Sequence, residues 1–234
     1  MNIPIYIICF NNGFYVENTI IQLKNKNISD NNIIIINNNS TGLNTVAILK
    51  KLENSYKIIN FEKNYGHRVW NKPIIWNNLP EHFIITDPDL EYNEKLPNNF
   101  IDILYEISTK YNASKVGFAL DITSSDIFND NYVDDINIKE WEMQFWKKPL
   151  EKYNNLDIYD ADIDTTFFLG CKSKLSNGFS TKINIRVASN FICKHLPWHI
   201  NHNDSLDKTI LLEMYLNDNN ISTTSKIIKK YYNF

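Results

Sequence analysis

The chain has 234 residues, enough for one sizeable domain or two very small ones. With 43% hydrophobic and 22% charged residues it has the composition of a folding chain and not of a disordered one. A net charge of −3 with no basic stripe argues against a general nucleic-acid binder.

The first hundred residues alternate between two patterns. Residues 3–10 form an apolar, β-branched run, which predicts a buried strand. Val16, Ile20 and Leu23 have helical spacing, so 16–24 predicts a helix. Residues 32–36 predict a second strand, 46–52 a helix, 56–61 a third strand and 82–86 a fourth. Strand–helix–strand alternation with continuous apolar strands predicts an α/β fold whose parallel sheet is covered on both faces. Further along, 98–111 predicts a helix, 115–122 a strand, 124–136 an acidic loop and 138–146 an aromatic-rich helix. Residues 160–169 read as a strand with Asp162 and Asp164 on one face, 183–187 as another strand, and 206–217 as a final amphipathic helix. No linker or repeat is visible, so the two halves are expected to share one sheet.

The tail at 226–234 mixes basic and aromatic residues and is expected to be frayed or docked, with contact to a membrane surface as the alternative. No apolar run approaches the ~20 residues of a membrane span. Met1-Asn2-Ile3-Pro4 lacks the basic start of a signal peptide. The three cysteines, Cys9, Cys171 and Cys193, form no CxxC and no disulfide framework, so a cytoplasmic location is expected. The abundance of Asn and Ile reads as codon bias from an AT-rich genome, cellular or viral.

The residues that follow the strands carry the functional signal. After the first come Asn11 and Asn12; after the second, Asn37 to Thr41; after the third, Asn64, Gly66, His67 and Arg68; after the fourth, Asp87 and Asp89. In an open parallel sheet ligands bind beyond the carboxyl ends of the strands, so four strands deliver polar groups to one edge. Asp87-Pro88-Asp89 is the sharpest of these signals. Carboxylates at i and i+2 on extended chain point to one side, and Pro88 suits the end of a strand. A hard divalent cation that also holds a diphosphate uses one or two such carboxylates, with phosphate oxygens and water completing its shell. The plainer reading is an Asp-Pro turn.

These motifs resemble a known family. The strand ending Asn37-Asn38-Asn39-Ser40-Thr41 is similar to the one that ends Asp-Asp-Gly-Ser-Thr in family 2-type glycosyltransferases. Asn64-Tyr65-Gly66 resembles their Asn-x-Gly segment, and Asp87-Pro88-Asp89 their Asp-x-Asp motif. Trp141-Glu142, Phe145-Trp146, Asp162 to Phe167 and His195-Leu196-Pro197-Trp198 resemble a bacterial polysaccharide-type branch of the GT-A glycosyltransferases. The resemblance implies a single GT-A domain over 1–234, α/β with a mostly parallel sheet flanked by helices. Residues 1–95 would be the nucleotide-sugar-binding half and 96–234 the acceptor and catalytic half. It implies a UDP-sugar donor, Mn²⁺ or Mg²⁺, and a glycan or glycoconjugate acceptor. Asn38 would face the nucleobase where the family has Asp, and an amide there can donate as well as accept, which leaves the base open. Asn11 and Asn64 would line base and ribose, Arg68 would lie near the diphosphate, Asp89 would be the main metal ligand, and Asp87 would serve ribose or metal. His195 would supply a third metal ligand, with His199 competing.

An inverting transfer also needs a carboxylate base. No Asp or Glu occurs from Thr165 to Lys194, which leaves Asp121, Glu142, Asp162 and Asp164 before that gap, or else a carboxylate after His195. Asp164 is the favoured base. Asp121 and Glu142 are the alternatives, Glu142 because neighbouring Trp141 and Trp146 would suit a sugar. A sugar-phosphate nucleotidyltransferase would carry a glycine-rich loop where Asn11-Asn12-Gly13-Phe14 stands, and the G-x-G-x-x-G of a NAD enzyme is absent. A non-catalytic nucleotide-sugar or carbohydrate-binding module of the same fold is the remaining competitor.

Overall fold

The computed structural model describes residues 2–133, 135–215 and 222–233. The first half runs β1 (Ile5–Cys9), α1 (Gly13–Asn25), β2 (Ile33–Asn37), α2 (Leu43–Leu52), β3 (Lys57–Asn60), α3 (Pro73–Trp76), β4 (His82–Thr86), β5 (Leu90–Glu91) and α4 (Phe100–Lys110). The second half runs β6 (Lys115–Phe118), β7 (Asn131–Val133), β8 (Ile136–Asn137), α5 (Ile138–Met143), β9 (Ile158–Asp160), β10 (Phe168–Cys171), β11 (Leu175–Ser176), β12 (Phe179–Ser180), β13 (Asn184–Val187), β14 (Lys194–His195), α6 (Ile200–Ser205), α7 (Lys208–Tyr215) and α8 (Thr223–Tyr231).

One eight-stranded sheet in the order β3-β2-β1-β4-β10-β6-β13-β9 carries both halves. β3, β2, β1 and β4 pair in parallel, as do β6 and β13, whereas β10 runs antiparallel to β4 and β6 and β9 antiparallel to β13. The sheet is therefore mostly parallel and flanked by helices. Alternation along each strand feeds two cores: Ile5, Ile7 and Cys9 face one side, Tyr6 and Ile8 the other. β4 does the same with Ile84 against Phe83 and Ile85. Such strands are apolar at every position because both their faces are covered.

Three expectations need correction. Residues 160–169 are not one strand, because the chain leaves the sheet after Asp160 and re-enters at Phe168. The carbonyls between them find other partners: Asp162 O accepts from Arg186 Nε at 2.8 Å, Ile163 O from Lys115 Nζ at 2.9 Å and Thr165 O from Asp87 N at 2.9 Å. Alternation there reflects a loop with one buried side chain, Ile163, between two acidic ones. The helix expected at 138–146 is α-helical only to Met143 and tightens into a 3₁₀ turn over Gln144–Trp146. The acidic loop at 124–136 contains the strand β7. The helix expected to reach residue 217 is described as α7 to Tyr215, and its expected end lies outside the described residues. The tail is docked as α8, with Ile227 and Ile228 buried in the larger core. No described helix is long and apolar enough to cross a membrane.

The abundant asparagine has a structural use. Asn11, Asn27, Asn39, Asn112, Asn154, Asn155 and Asn177 all sit at positive φ. Asn tolerates the left-handed region better than other L-residues, so it closes turns that glycine usually closes, in a chain with only 6 glycines.

Candidate functional site

Beyond the carboxyl ends of β1, β2 and β4 lies a cleft of two lobes, about 550 Å³ and about 540 Å³. His67, Asp87, Tyr132, Asp164 and His195 line both and so mark their common wall. The first lobe also takes Asn12, Asn38, Asn64, Asp89 and Thr165, with Ser222 to Thr224 closing it from the C-terminal side. The second takes Arg68, Lys115, Glu142, Asp162 and Arg186, with a wall of Trp70, Trp141, Phe145, Phe179 and Trp198.

The loops after β1, β2 and β3 are knotted by asparagines. Asn11 Oδ1 accepts from Thr41 N at 2.7 Å and Gly42 N at 2.9 Å. Asn11 thus clamps one loop to the next and is absent from the lining of the first lobe, where its neighbour Asn12 stands. Asn38 is 1% exposed; its Nδ2 donates to Asn64 Oδ1 at 2.7 Å and to Gly66 O at 3.1 Å, and its Oδ1 accepts from Tyr65 N at 2.9 Å. Backbone groups at both ends fix which way the amide points, since a carbonyl only accepts and an N–H only donates. Both amide hydrogens are therefore spent inside the protein, and toward a ligand the group is an acceptor only. Asn38→Asp, although isosteric, would face Asn64 Oδ1 and Gly66 O with no hydrogen to give. It is expected to cost at least about 2 kcal/mol of stability, read as a lowered urea midpoint.

The acidic pair stands at the wall between the lobes. Asp87 Oδ2 accepts from Thr165 Oγ1 at 2.7 Å. Burial, then the charge of Asp89, push its carboxyl well above the ordinary range. Asp89 Oδ2 lies 3.5 Å from His195 Nε2. Burial holds the His195 imidazole below its usual pKa despite the pull of Asp89, so it stays neutral, the form that binds metals. Asp89 Oδ1 and His195 Nδ1 are both buried without a hydrogen-bond partner. Among the described residues, no three His, Cys, Asp or Glu side chains already converge into a cation cage. Two carboxylates and a neutral imidazole nevertheless fit a hard divalent ion that takes its remaining ligands from phosphate and water. His199, the competing ligand, lies outside the lining of both lobes; its Nδ1 meets Asp126 at 3.1 Å and its Nε2 is buried without a partner.

The three candidate bases differ sharply. Asp164 is 68% exposed on the common wall, with His67 Nε2 3.7 Å from its Oδ1. The hydroxyl of the next residue, Thr165, is given to Asp87. Asp121 accepts from Thr123 N at 2.8 Å, Thr123 Oγ1 at 2.7 Å and Ser124 Oγ. Burial, which alone would raise it, is outweighed by these hydrogen bonds, which hold the carboxyl below its usual range. Asp121 closes a turn and is absent from the lining of both lobes. Glu142 is 2% exposed and paired with Arg186, which is itself 3% exposed. Burial pushes the Glu142 carboxyl up to about 7 against the pull of Arg186. Arg186 also stacks 4.0 Å from the centre of the Phe145 ring. Asp121 is thus committed to a turn outside both lobes, whereas Glu142 lines the second lobe with one oxygen engaged by Arg186.

Arg68 lines the second lobe, its guanidinium 4.5 Å from the Phe179 ring centre. Lys115 and Arg186 did not stand out in the sequence. The signal was there: each is a single cation within an otherwise apolar strand, where a charge is costly unless it has a partner.

The profile for "Glycosyl transferase family 2" matches residues 5–173. No curated protein matches the chain in sequence. Among solved structures, the mannosyltransferase PcManGT from Pyrobaculum calidifontis, in complex with GDP-Man and Mn²⁺, is 8% identical at a TM-score of 0.53, over 99% of this chain and 75% of that one. S. aureus TarS 1-349 in complex with UDP-GlcNAc is 11% identical at a TM-score of 0.50, over 100% of this chain and 72% of that one. Another structure of S. aureus TarS 1-349 aligns at 12% identity and a TM-score of 0.40, over 57% of this chain and only 40% of that one.

Proposed function

The chain belongs to glycosyl transferase family 2, and from that premise we propose that it moves a sugar from a UDP-sugar to a hydroxyl of a glycan or glycoconjugate, with metal assistance and inversion. The observation that carries this reading is the meeting of Asp87, Asp89, His195 and Asp164 near the wall between two lobes, one polar and one aromatic. The nucleotide-sugars bound in the structures similar in fold support a nucleotide-sugar in the first lobe, by analogy of fold. The acceptor-only oxygen of Asn38 offers what the family's Asp would offer, which favours a base with a ring N–H such as uracil. The aromatic wall of the second lobe suits the apolar face of a pyranose.

In this reading Asp89, Asp87 and His195 hold the cation. Bound there, Mn²⁺ or Mg²⁺ would act as a Lewis acid that neutralises charge on the departing diphosphate. Asp164 takes the proton of the acceptor hydroxyl as it attacks. Its exposure leaves it open to the second lobe, and His67 stands beside it.

The test is turnover of a UDP-sugar panel by purified protein, with and without Mn²⁺, beside UDP affinity by calorimetry. Asp164→Asn is expected to lower transfer by about 10²–10⁴-fold while leaving UDP affinity within about twofold. Parallel loss of both would demote Asp164 to a structural residue. UDP binding by the wild-type protein with no metal-dependent turnover of any donor would leave a binding module.

A further inference from the structure

The loop that carries Asp164 is held at almost every residue except Asp164 itself. Asp162 O is taken by Arg186 Nε at 2.8 Å and Asp162 Oδ1 by Asn184 Nδ2 at 2.9 Å, both from β13. Ile163 buries its side chain in the smaller core beside Trp70 and Phe168. Thr165 is tied to Asp87 through both its hydroxyl and its carbonyl. The remaining anchor is Lys115, the first residue of β6, whose Nζ donates to Ile163 O at 2.9 Å. Lys115 is 8% exposed, and its ammonium sits 4.6 Å from the Phe168 ring centre and 5.7 Å from that of Trp70.

A lysine in this place is costly to bury, and a methionine would fill the same space without a charge. Burial draws the Lys115 amine down to about 8, against the pull of Asp164 and then Asp162. The charge is kept in an apolar pocket where its one hydrogen-bond acceptor among the described residues is the main chain of the residue before Asp164.

We propose that Lys115 is a positioning residue for the transfer step: by clamping the Ile163 carbonyl it fixes the loop that presents Asp164 to the acceptor. The proposal rests on the reading of Asp164 as the base. Its action is indirect. Asp164 is free to meet a hydroxyl because its neighbours, and not its own carboxylate, carry the anchoring bonds. A misplacement of the base by about 1 Å is enough to cost about 100-fold in rate.

The test is a double-mutant cycle between Lys115→Met and Asp164→Asn, read by transfer kinetics on the UDP-sugar of the panel that the wild-type protein turns over fastest and by UDP calorimetry. Lys115→Met is expected to lower kcat about 100-fold with UDP affinity and donor KM within about twofold. In the Asp164→Asn background, Lys115→Met is expected to cost nothing further, since the base it positions is gone. Equal losses in the two backgrounds, or an unchanged kcat in Lys115→Met, would overturn the proposal. Lys115→Gln keeps a donor on a shorter stem and is expected to give the same cycle with a smaller loss; it takes the place of Lys115→Met if that variant does not fold. The Asp164→Asn single variant reports separately on the parent reading. If it transfers at the wild-type rate, the base assignment fails and the role of Lys115 fails with it; if it is inactive while the cycle is additive, only Lys115 is misassigned.

Discussion

Asp89→Ala is expected to lower donor turnover by about 10³-fold or more while leaving the melting temperature in metal-free buffer unchanged or raised. The two halves of this expectation have one cause. Asp89 Oδ1 is buried without a partner, and its carboxylate stands beside Asp87, whose own carboxyl it helps to push upward. In the absence of a cation the pair is a local liability, because two like charges share a poorly solvated wall. Alanine removes the repulsion and the orphaned oxygen together. The main-chain bond from Leu196 N to Asp89 O at 2.9 Å survives the change, so the link to the segment after β14 is kept. With cation the argument reverses: the site loses a ligand and the departing diphosphate keeps its charge. Thermal melts with EDTA and with Mn²⁺, beside turnover of a UDP-sugar, measure both halves. Normal turnover by a folded Asp89→Ala protein would remove the metal assignment.

The largest expected effect on stability is at Glu142. Glu142→Ala should lower the unfolding free energy by about 3–5 kcal/mol, because it strands the buried guanidinium of Arg186. Arg186 would keep the Phe145 ring and the Asp162 carbonyl, neither of which carries a negative charge. Replacing both partners with apolar residues of similar volume should cost less than removing Glu142 alone, since no charge is then left unpaired. Urea denaturation of the three proteins decides it. A loss below about 1 kcal/mol for Glu142→Ala would mean that the pair does not stiffen the second lobe and that Glu142 is free for another role. The pair also gives the carboxylate flanked by aromatics in the sequence a structural partner. The aromatics pack the pair: Trp141 lines the lobe, while Phe145 covers the arginine.

The parts of the fold that were legible in the sequence are those with one dominant period. β1, β2 and β4 are buried on both faces, and an unbroken apolar run has little else to be. The same continuity placed the polar residues after these strands on one edge. Asp87, Asp89, Asp164 and His195 come together at that edge, although Asp164 and His195 arrive from distant loops. What the sequence hid was how side chains are spent. Asn11 and Asn38 look alike beside any ligand, yet each is committed to a neighbouring loop through bonds spanning 25 residues or more. Alternation at Asp162, Ile163 and Asp164 imitates a strand because a loop with one buried residue has the same local pattern. Only the distant donors Lys115 and Arg186 distinguish the two, and no local window contains them. Asp121 was misleading for the opposite reason: its partners Thr123 and Ser124 lie next to it, and a short turn uses up a carboxylate that polarity alone would offer to a substrate.

The order of strands in the sheet has a consequence for how water is kept out. β10 lies between β4 and β6 and is hydrogen-bonded on both sides, so one continuous ladder joins the two ends of the sheet. Closing the lobes by rigid-body rotation, as the jaws of a two-body enzyme do, would have to bend or break that ladder. Shielding of the anomeric carbon then falls to surface loops and to the acceptor itself as it docks. A donor waiting alone would stay wet, and slow loss of its sugar to solvent is the leak that such a rigid frame implies.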